Sequence, residues 1–417
     1  MSINTILNQD LIFEILDHLA VPLAFHERKC DLAVLAACSL VCRDWSSRAQ
    51  RLLFRRIILP HNIHSSPYLR GTSRNSLPSF LEAIDPATER GKQLGACVLS
   101  LTLRHTGREV PTYATCLATA LLRTPNLRHL NVTTLLCDFD TETLAAIRQR
   151  GPRITSLCIL QDFSPAVTQH RRIMHQLVAA FPSIRLLEVT SNLSATLAPF
   201  DPPANLSLVS VKFNATLAND FGPCLASLMR PDYTDASPTK YGDGAEDAEQ
   251  TRDGGLQLLS HTSLRSSPST LSRIFTQHGA HLRSLSLKTL DSAHALQHCT
   301  RLERLELGAL PHHDHTTILA ALPRTLTALA IGGSRAPPPD ARAADALVAQ
   351  LQLLPNLRTL TWRVSGAAPP EALVRMCESR GVEMRVGRSV VGGGDGVTDA
   401  VDDDAVEVEL RRKYIRI

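Results

Sequence analysis

Thr124-Pro125-Asn126-Leu127-Arg128-His129-Leu130-Asn131-Val132 is the stretch on which the fold turns. Its aliphatic residues follow the string L-x-x-L-x-L. Leu130 and Val132 alternate as in a strand with one buried face, and Leu127, three places earlier, covers the turn into it. With aliphatic replacements the string also starts at Val98, Ile154, Ile184 and Leu206, so that successive starts lie 29, 27, 30 and 22 residues apart. From a weaker copy at Leu256 it returns at Leu282, Leu302, Leu326 and Leu357, at spacings of 26, 20, 24 and 31. The flank recurs too, as Phe181-Pro182-Ser183-Ile184-Arg185 and Leu354-Pro355-Asn356-Leu357-Arg358. Met384 to Val386 reads as a last strand.

Between the copies the apolar period changes from two to that of a helix, over 115–123, 141–150, 172–180, 317–322, 340–353 and 370–379. A strand and a helix repeated at this period stack side by side, because one such unit cannot bury its apolar face alone. The array, residues 95–386, resembles the irregular leucine-rich repeats of fungal-type F-box proteins. The implied fold is α/β: an N-terminal three-helix F-box-like module, then an irregular solenoid with parallel strands on a concave face and helices on a convex one. Residues 231–255, rich in Asp, Gly, Ser, Thr and Glu, read as a flexible insertion. Residues 387–417, turning to Gly and Asp, read as a disordered tail.

The first sixty residues have a different pattern. Leu7, Leu11, Ile12, Ile15, Leu16 and Leu19 recur at helical spacing. Asp31 is placed to cap a second helix carrying Leu32, Leu35, Ala36, Leu40, Val41 and Trp45, and a third helix spans 46–54. Three short helices make a small core that leans on a partner or on the next domain. Leu7 to Leu19 resembles the opening helix of an F-box, L-P-x-E-L-L-x-x-I-L-x-x-L, with Asn8 in place of the proline and Asp10 in place of the glutamate. Asp31 to Trp45 resembles its second half, ending in V-C-[KR]-x-W as Val41-Cys42-Arg43-Asp44-Trp45. The resemblance implies a module at 1–60, joined to the array by a linker at 61–94. It implies binding to the Skp-type adaptor of an SCF ubiquitin ligase, and through it to a cullin-RING ligase, by Leu7, Leu11, Ile12, Ile15, Leu16, Leu35, Val41, Cys42 and Trp45. The chain is then a substrate receptor without catalytic residues, raising the local concentration of a client protein near a ubiquitin-charged enzyme. A leucine-rich-repeat scaffold without ligase association is the competing reading, and Asn8 favours it.

In a repeat sheet the residues between the leucines face the partner. Arg104, His129, Lys212, Lys288, Arg304 and Arg363 stand there, with Glu188 and Glu306 as the only acids. That composition predicts a mildly basic face suited to acidic or phosphorylated client segments.

The rest of the sequence excludes classes. Lys and Arg number 44 against 40 Asp and Glu, a net +4 spread along the chain, so nothing points to nucleic acid or membrane. No G-x-S-x-G, P-loop, G-x-G-x-x-G, H-E-x-x-H or EF-hand pattern occurs, so no enzyme, cofactor or metal is expected. His312-His313-Asp314-His315 lacks further clustered ligands. The ten cysteines form no C-x-x-C pair and read as reduced core residues. The opening residues lack a signal peptide's apolar region, which predicts an intracellular protein, cytoplasmic or nuclear.

Overall fold

The computed structural model describes residues 13–16, 29–60, 77–104, 110–134, 139–161, 172–191, 206–215, 228, 255–261, 268–287, 293–308, 315–332, 341–364, 368–386 and 405–414. The chain divides into two compact units, one built mainly of 1–160 and 167–181, the other of 161–166 and 182–416.

In the first unit, α1 (Lys29–Cys38) packs on α2 (Arg43–Arg55), which runs without a break into β1 (Arg56–Pro60). Then come α3 (Leu77–Ala83), α4 (Glu89–Cys97), β2 (Ser100–Arg104), α5 (Val110–Arg123), β3 (His129–Thr134), α6 (Thr141–Arg150), β4 (Ser156–Gln161) and α7 (Arg172–Ala180). The strands lie in chain order, and β1, β2 and β3 are parallel, with Leu101 opposite Ile57 and Leu130. Leu101 and Leu103, Leu130 and Val132, and Leu157 and Ile159 are all buried, forming the inward ladder that the strings predict. Helix packs on helix behind the strands: α2 on α4, α5 on α6, α6 on α7.

Two features were hidden in the sequence. The strand Ile57-Ile58-Leu59, inside the segment 1–60 read as a helical module, is the first member of the sheet. The segment read as a linker, 61–94, holds α3 and the first six residues of α4, whose Gly91 and Gly95 lower its helix propensity. Both glycines are there for contact: a Cβ would stand 2.1 Å from the Asp85 carbonyl oxygen and 2.3 Å from that of Arg123. Thr88 caps this helix, its hydroxyl accepting the Gly91 N–H at 2.9 Å.

The second unit holds β5 (Leu186–Ser191), β6 (Ser210–Ala215), β7 (Leu258–His261), α8 (Pro268–His278), β8 (Ser284–Leu287), β9 (Arg304–Leu307), α9 (His315–Ala320), β10 (Ala328–Ile331), α10 (Ala341–Leu351), β11 (Thr359–Trp362), α11 (Glu371–Arg380), β12 (Glu383–Val386) and α12 (Ala405–Tyr414). A short 3-10 helix at Gly279–His281 extends the end of α8, and another at Ala293–His298 stands in place of a full helix in the 20-residue repeat between β8 and β9. All eight strands are parallel and in chain order. One row from β5 to β11, Leu187, Val211, Leu259, Leu285, Leu305, Leu329 and Leu360, is buried throughout, and its member on β12, Met384, is half-buried. The recurring flank also has a mechanical role: the Asn356 side-chain amide donates to the Arg324 carbonyl at 2.9 Å, as Asn126 in the first unit donates to that of Ala96 at 2.8 Å. Each bond ties a turn to the repeat before it. At the end of α11, Gly381 takes the left-handed φ of 65° and turns the chain straight into β12. Glu383 and Arg385 on β12 pair at 2.8 Å.

Each unit is thus a stretch of α/β leucine-rich-repeat solenoid. Within the segment read as a tail, residues 405–414 form a helix. Its average composition conceals an amphipathic decamer with Val406, Leu410 and Tyr414 at i, i+4 and i+8. The insertion at 231–254 lies outside the described residues, as do 61–76 and 387–404.

Leu305 is fully buried, whereas Leu353 is 66% exposed. Leu305→Ala is expected to cost about 2–5 kcal/mol in urea unfolding, and Leu353→Ala less than about 0.5 kcal/mol. Equal effects would mean that the ladder is not the core.

Candidate partner-binding surfaces

The N-terminal helices carry the first surface. Leu16 and Leu35 close a small core with Leu52, flanked by Phe13, Cys38 and Leu53. These two predicted adaptor residues are therefore occupied inside the module. Ile15 is 49% exposed, Val41 61% and Cys42 exposed, and the neighbouring Leu40 is 86% exposed. Trp45 is half-buried. Leu7, Leu11 and Ile12 lie outside the described residues.

Local sequence explains the division. Helix α1 begins at Lys29, so Asp31 sits inside it rather than capping it. The Cys38-to-Cys42 segment is a turn between helices, closed by the Val41 N–H donating to the Cys38 carbonyl at 3.2 Å. Cys42 is the extended residue before α2 and caps nothing with its side chain. The turn lifts Leu40 and Val41 out of the helical register that buries Leu35, and leaves them in water. Cys42 is accordingly not a core cysteine, although Cys299 and Cys377 are. Burial pushes the Cys299 thiol up to about 12.

The second surface is the sheet face opposite the ladder. In the second unit it presents two rows. One runs Leu186, Ser210, Leu258, Ser284, Arg304, Ala328, Thr359, Glu383; the other Glu188, Lys212, Ser260, Ser286, Glu306, Ala330, Thr361, Arg385. Lys212 and Arg304 stand on it, half-buried, as their spacing predicts. Arg363 also reaches it, but its guanidinium is paired with Glu306. In the first unit the His129 ring nitrogen Nδ1 lies 2.8 Å from the Ser156 hydroxyl on the next strand. Arg104 ends β2, and Lys288 lies outside the described residues.

Sequence reasoning missed the charges just ahead of the strands. Arg283 donates from Nε and Nη2 to both oxygens of Glu303, at 2.9 and 3.1 Å, and from Nη1 to both oxygens of Glu409, at 3.0 Å each. These two carboxylates hold its guanidinium even more firmly protonated than usual. The signal was available: the residue after the first leucine of a copy is repeatedly arginine, as at Arg128, Arg185, Arg283 and Arg358. The acids that answer Arg283 come from the adjacent copy and from α12, and no local pattern announces them. The face is therefore less basic than its inventory suggests, because much of the charge is internally matched.

No protein-family model matches the chain, and no curated protein matches it. Among solved structures, the leucine-rich-repeat-containing protein LegL7 from Legionella pneumophila aligns with a TM-score of 0.37 at 13% identity, covering 79% of this chain and 88% of that one. A chain of the Rad7 and Elc1 complex in yeast aligns with a TM-score of 0.40 at 13% identity, covering 88% of this chain and 93% of that one. The chain's own parallel strands in sequence order, alternating with helices, are what give each unit its leucine-rich-repeat architecture. Among the described residues no three His, Cys, Asp or Glu side chains group to hold a metal ion, and no helix is long and apolar enough to cross a membrane.

With a thiol pushed up to about 12, roughly one Cys299 in ten thousand is ionised at pH 8. A maleimide at pH 8 is expected to label Cys42 within minutes and to leave Cys299 unlabelled until the chain is unfolded. Labelling of Cys299 at the rate of Cys42 in the native protein would contradict the packing described.

Proposed function

We propose that this protein is the substrate-recognition subunit of an SCF-type ubiquitin ligase, with the N-terminal helices docking on a Skp-type adaptor and the repeat sheet receiving a client protein. The observation that carries the reading is the apolar surface at Ile15, Leu40 and Val41 on a module whose own core is three leucines deep. Large aliphatic side chains at a helix turn gain by burial in an apolar groove, at about 25 cal/mol per Å² covered. The residues that offer this gain belong to the two strings resembling an F-box. Leu16 and Leu35 position that surface from below, and Ile15, Val41, Cys42 and Trp45 are its contact candidates. Leu7, Leu11 and Ile12 are further contact candidates by the family pattern alone. Lys212, Arg304 and Arg363 are the client-side candidates on the second unit, with Arg104 and His129 on the first and Lys288 by its place in the string.

A scaffold without ligase association shares the repeat sheet and lacks the adaptor contact. Co-expression with a Skp-type adaptor, followed by affinity purification, separates the two. Wild type is expected to retain the adaptor, and Leu40→Glu with Val41→Glu to reduce recovery at least ten-fold with an unchanged circular dichroism spectrum. Leu16→Asp is expected to lose both adaptor and fold, since it places a charge in the core. Failure of wild type to retain adaptor, or full retention by the surface double variant, would leave the scaffold reading.

A further inference from the structure

The end of the chain returns to the sheet. Helix α12 buries Val406 and Leu410 against Leu186, Val209 and Leu258, and Tyr414 packs at the margin of the same cluster. These contacts lie on β5 and β7 and on the residue leading into β6. Leu186 and Leu258 are exceptional in their row, whose other members from Ser210 to Glu383 are Ser, Arg, Ala, Thr and Glu. Two leucines in such a row form an apolar strip on a polar face. Ion pairs flank it: Glu409 to Arg283 at 3.0 Å, and Arg411 to Glu188 at 3.4 Å. The strip and its two charges of opposite sign match one pattern on a helix: apolar side chains at i, i+4 and i+8, a carboxylate at i+3 and a guanidinium at i+5.

The route of the chain separates this helix from the repeat stacking. Six strand spacings, about 29 Å, separate β12 from β6. The 18 residues 387–404 span up to about 60 Å when extended, and five of them are glycine and five aspartate. The helix therefore does not continue the array as another repeat. It reaches back over strands laid down some two hundred residues earlier, held by three apolar side chains and two ion pairs against the ordering entropy of ten residues.

We propose that the face over β5–β8 is a docking site for an amphipathic helix, that α12 is its resident occupant, and that an external protein partner enters by presenting the same apolar and charged pattern in place of α12. This rests on the reading of the sheet face as the partner-receiving side and is independent of the adaptor contact. Tethering gives α12 a high effective concentration at the site, so the partner competes with the chain's own end.

The test uses the full chain and a fluorescein-labelled peptide of residues 402–417. The Leu410→Asp chain, whose own helix is released, is expected to bind the peptide at least ten-fold more tightly than wild type. Glu409→Arg, at a position exposed to solvent, is the second variant and is expected to move affinity in the same direction, a few-fold. A peptide carrying Glu409→Arg is expected to bind the Leu410→Asp chain at least ten-fold more weakly than the native peptide, and to recover when that chain also carries Arg283→Glu. Peptide affinity unchanged in both variants, or loss of the whole unit's cooperative unfolding in the Glu409→Arg chain, overturns the proposal. Its failure alongside intact adaptor recovery removes helix docking and leaves the receptor reading standing; peptide binding without adaptor recovery does the reverse.

Discussion

Two inward aliphatic side chains per strand must find the two of the next strand, and the whole architecture follows from that requirement. The row from Leu187 through Leu285 and Leu305 to Leu360 holds because each member is covered on both sides by its neighbours in register. A slip of one residue would turn every one of them to the opposite face. Repeat length, by contrast, is free. The connection between strands contains a helix of three turns in some repeats and a 3-10 turn in others, provided that the ladder residues arrive in register. This is why spacings from 20 to 31 residues coexist in one sheet. The asparagines of the Pro-Asn-Leu flank fix the entry to the strand, and the connection absorbs the variation.

The N-terminal helices obey a weaker constraint. Their core, Leu16, Leu35 and Leu52, is small, and they gain support because α2 continues into β1 and packs on α4. The module is thus anchored to the repeats through its last helix, while the turn holding Leu40 and Val41 faces water. A surface of this kind is stable because the anchoring is done elsewhere in the same helices.

The repeat fold was readable from the sequence because burial imposes its own period. The strands at Leu130, Leu285 and Leu305 and the helices at 141–150 and 172–180 stand where alternation and helical spacing place them. What the sequence concealed has a common cause, which is dependence on distant contacts. Helix α4 carries glycines because carbonyls of Asp85 and Arg123 press against it, and propensity alone counts those glycines against a helix. Helix α12 sits in a segment whose average composition is that of a tail, and its apolar side is explained by Leu186 and Leu258, more than a hundred residues away. For the candidate surfaces, residue type was visible and pairing was not. Arg363 reads as a free cation until Glu306 is brought beside it, and Leu16 reads as equivalent to Ile15 although one is inside and the other outside.

Among the described residues β12 is the last strand of its unit, and its composition bears on how molecules meet one another. A parallel sheet that simply stopped would offer its final backbone edge to any passing strand, including that of a second molecule. Here the terminal strand alternates Glu383 and Arg385, joined to each other across a single intervening residue. A newcomer would have to lay its own side chains beside that fixed pair of opposite charges and strip water from both. An edge strand charged in this way is a poor template for pairing with another chain.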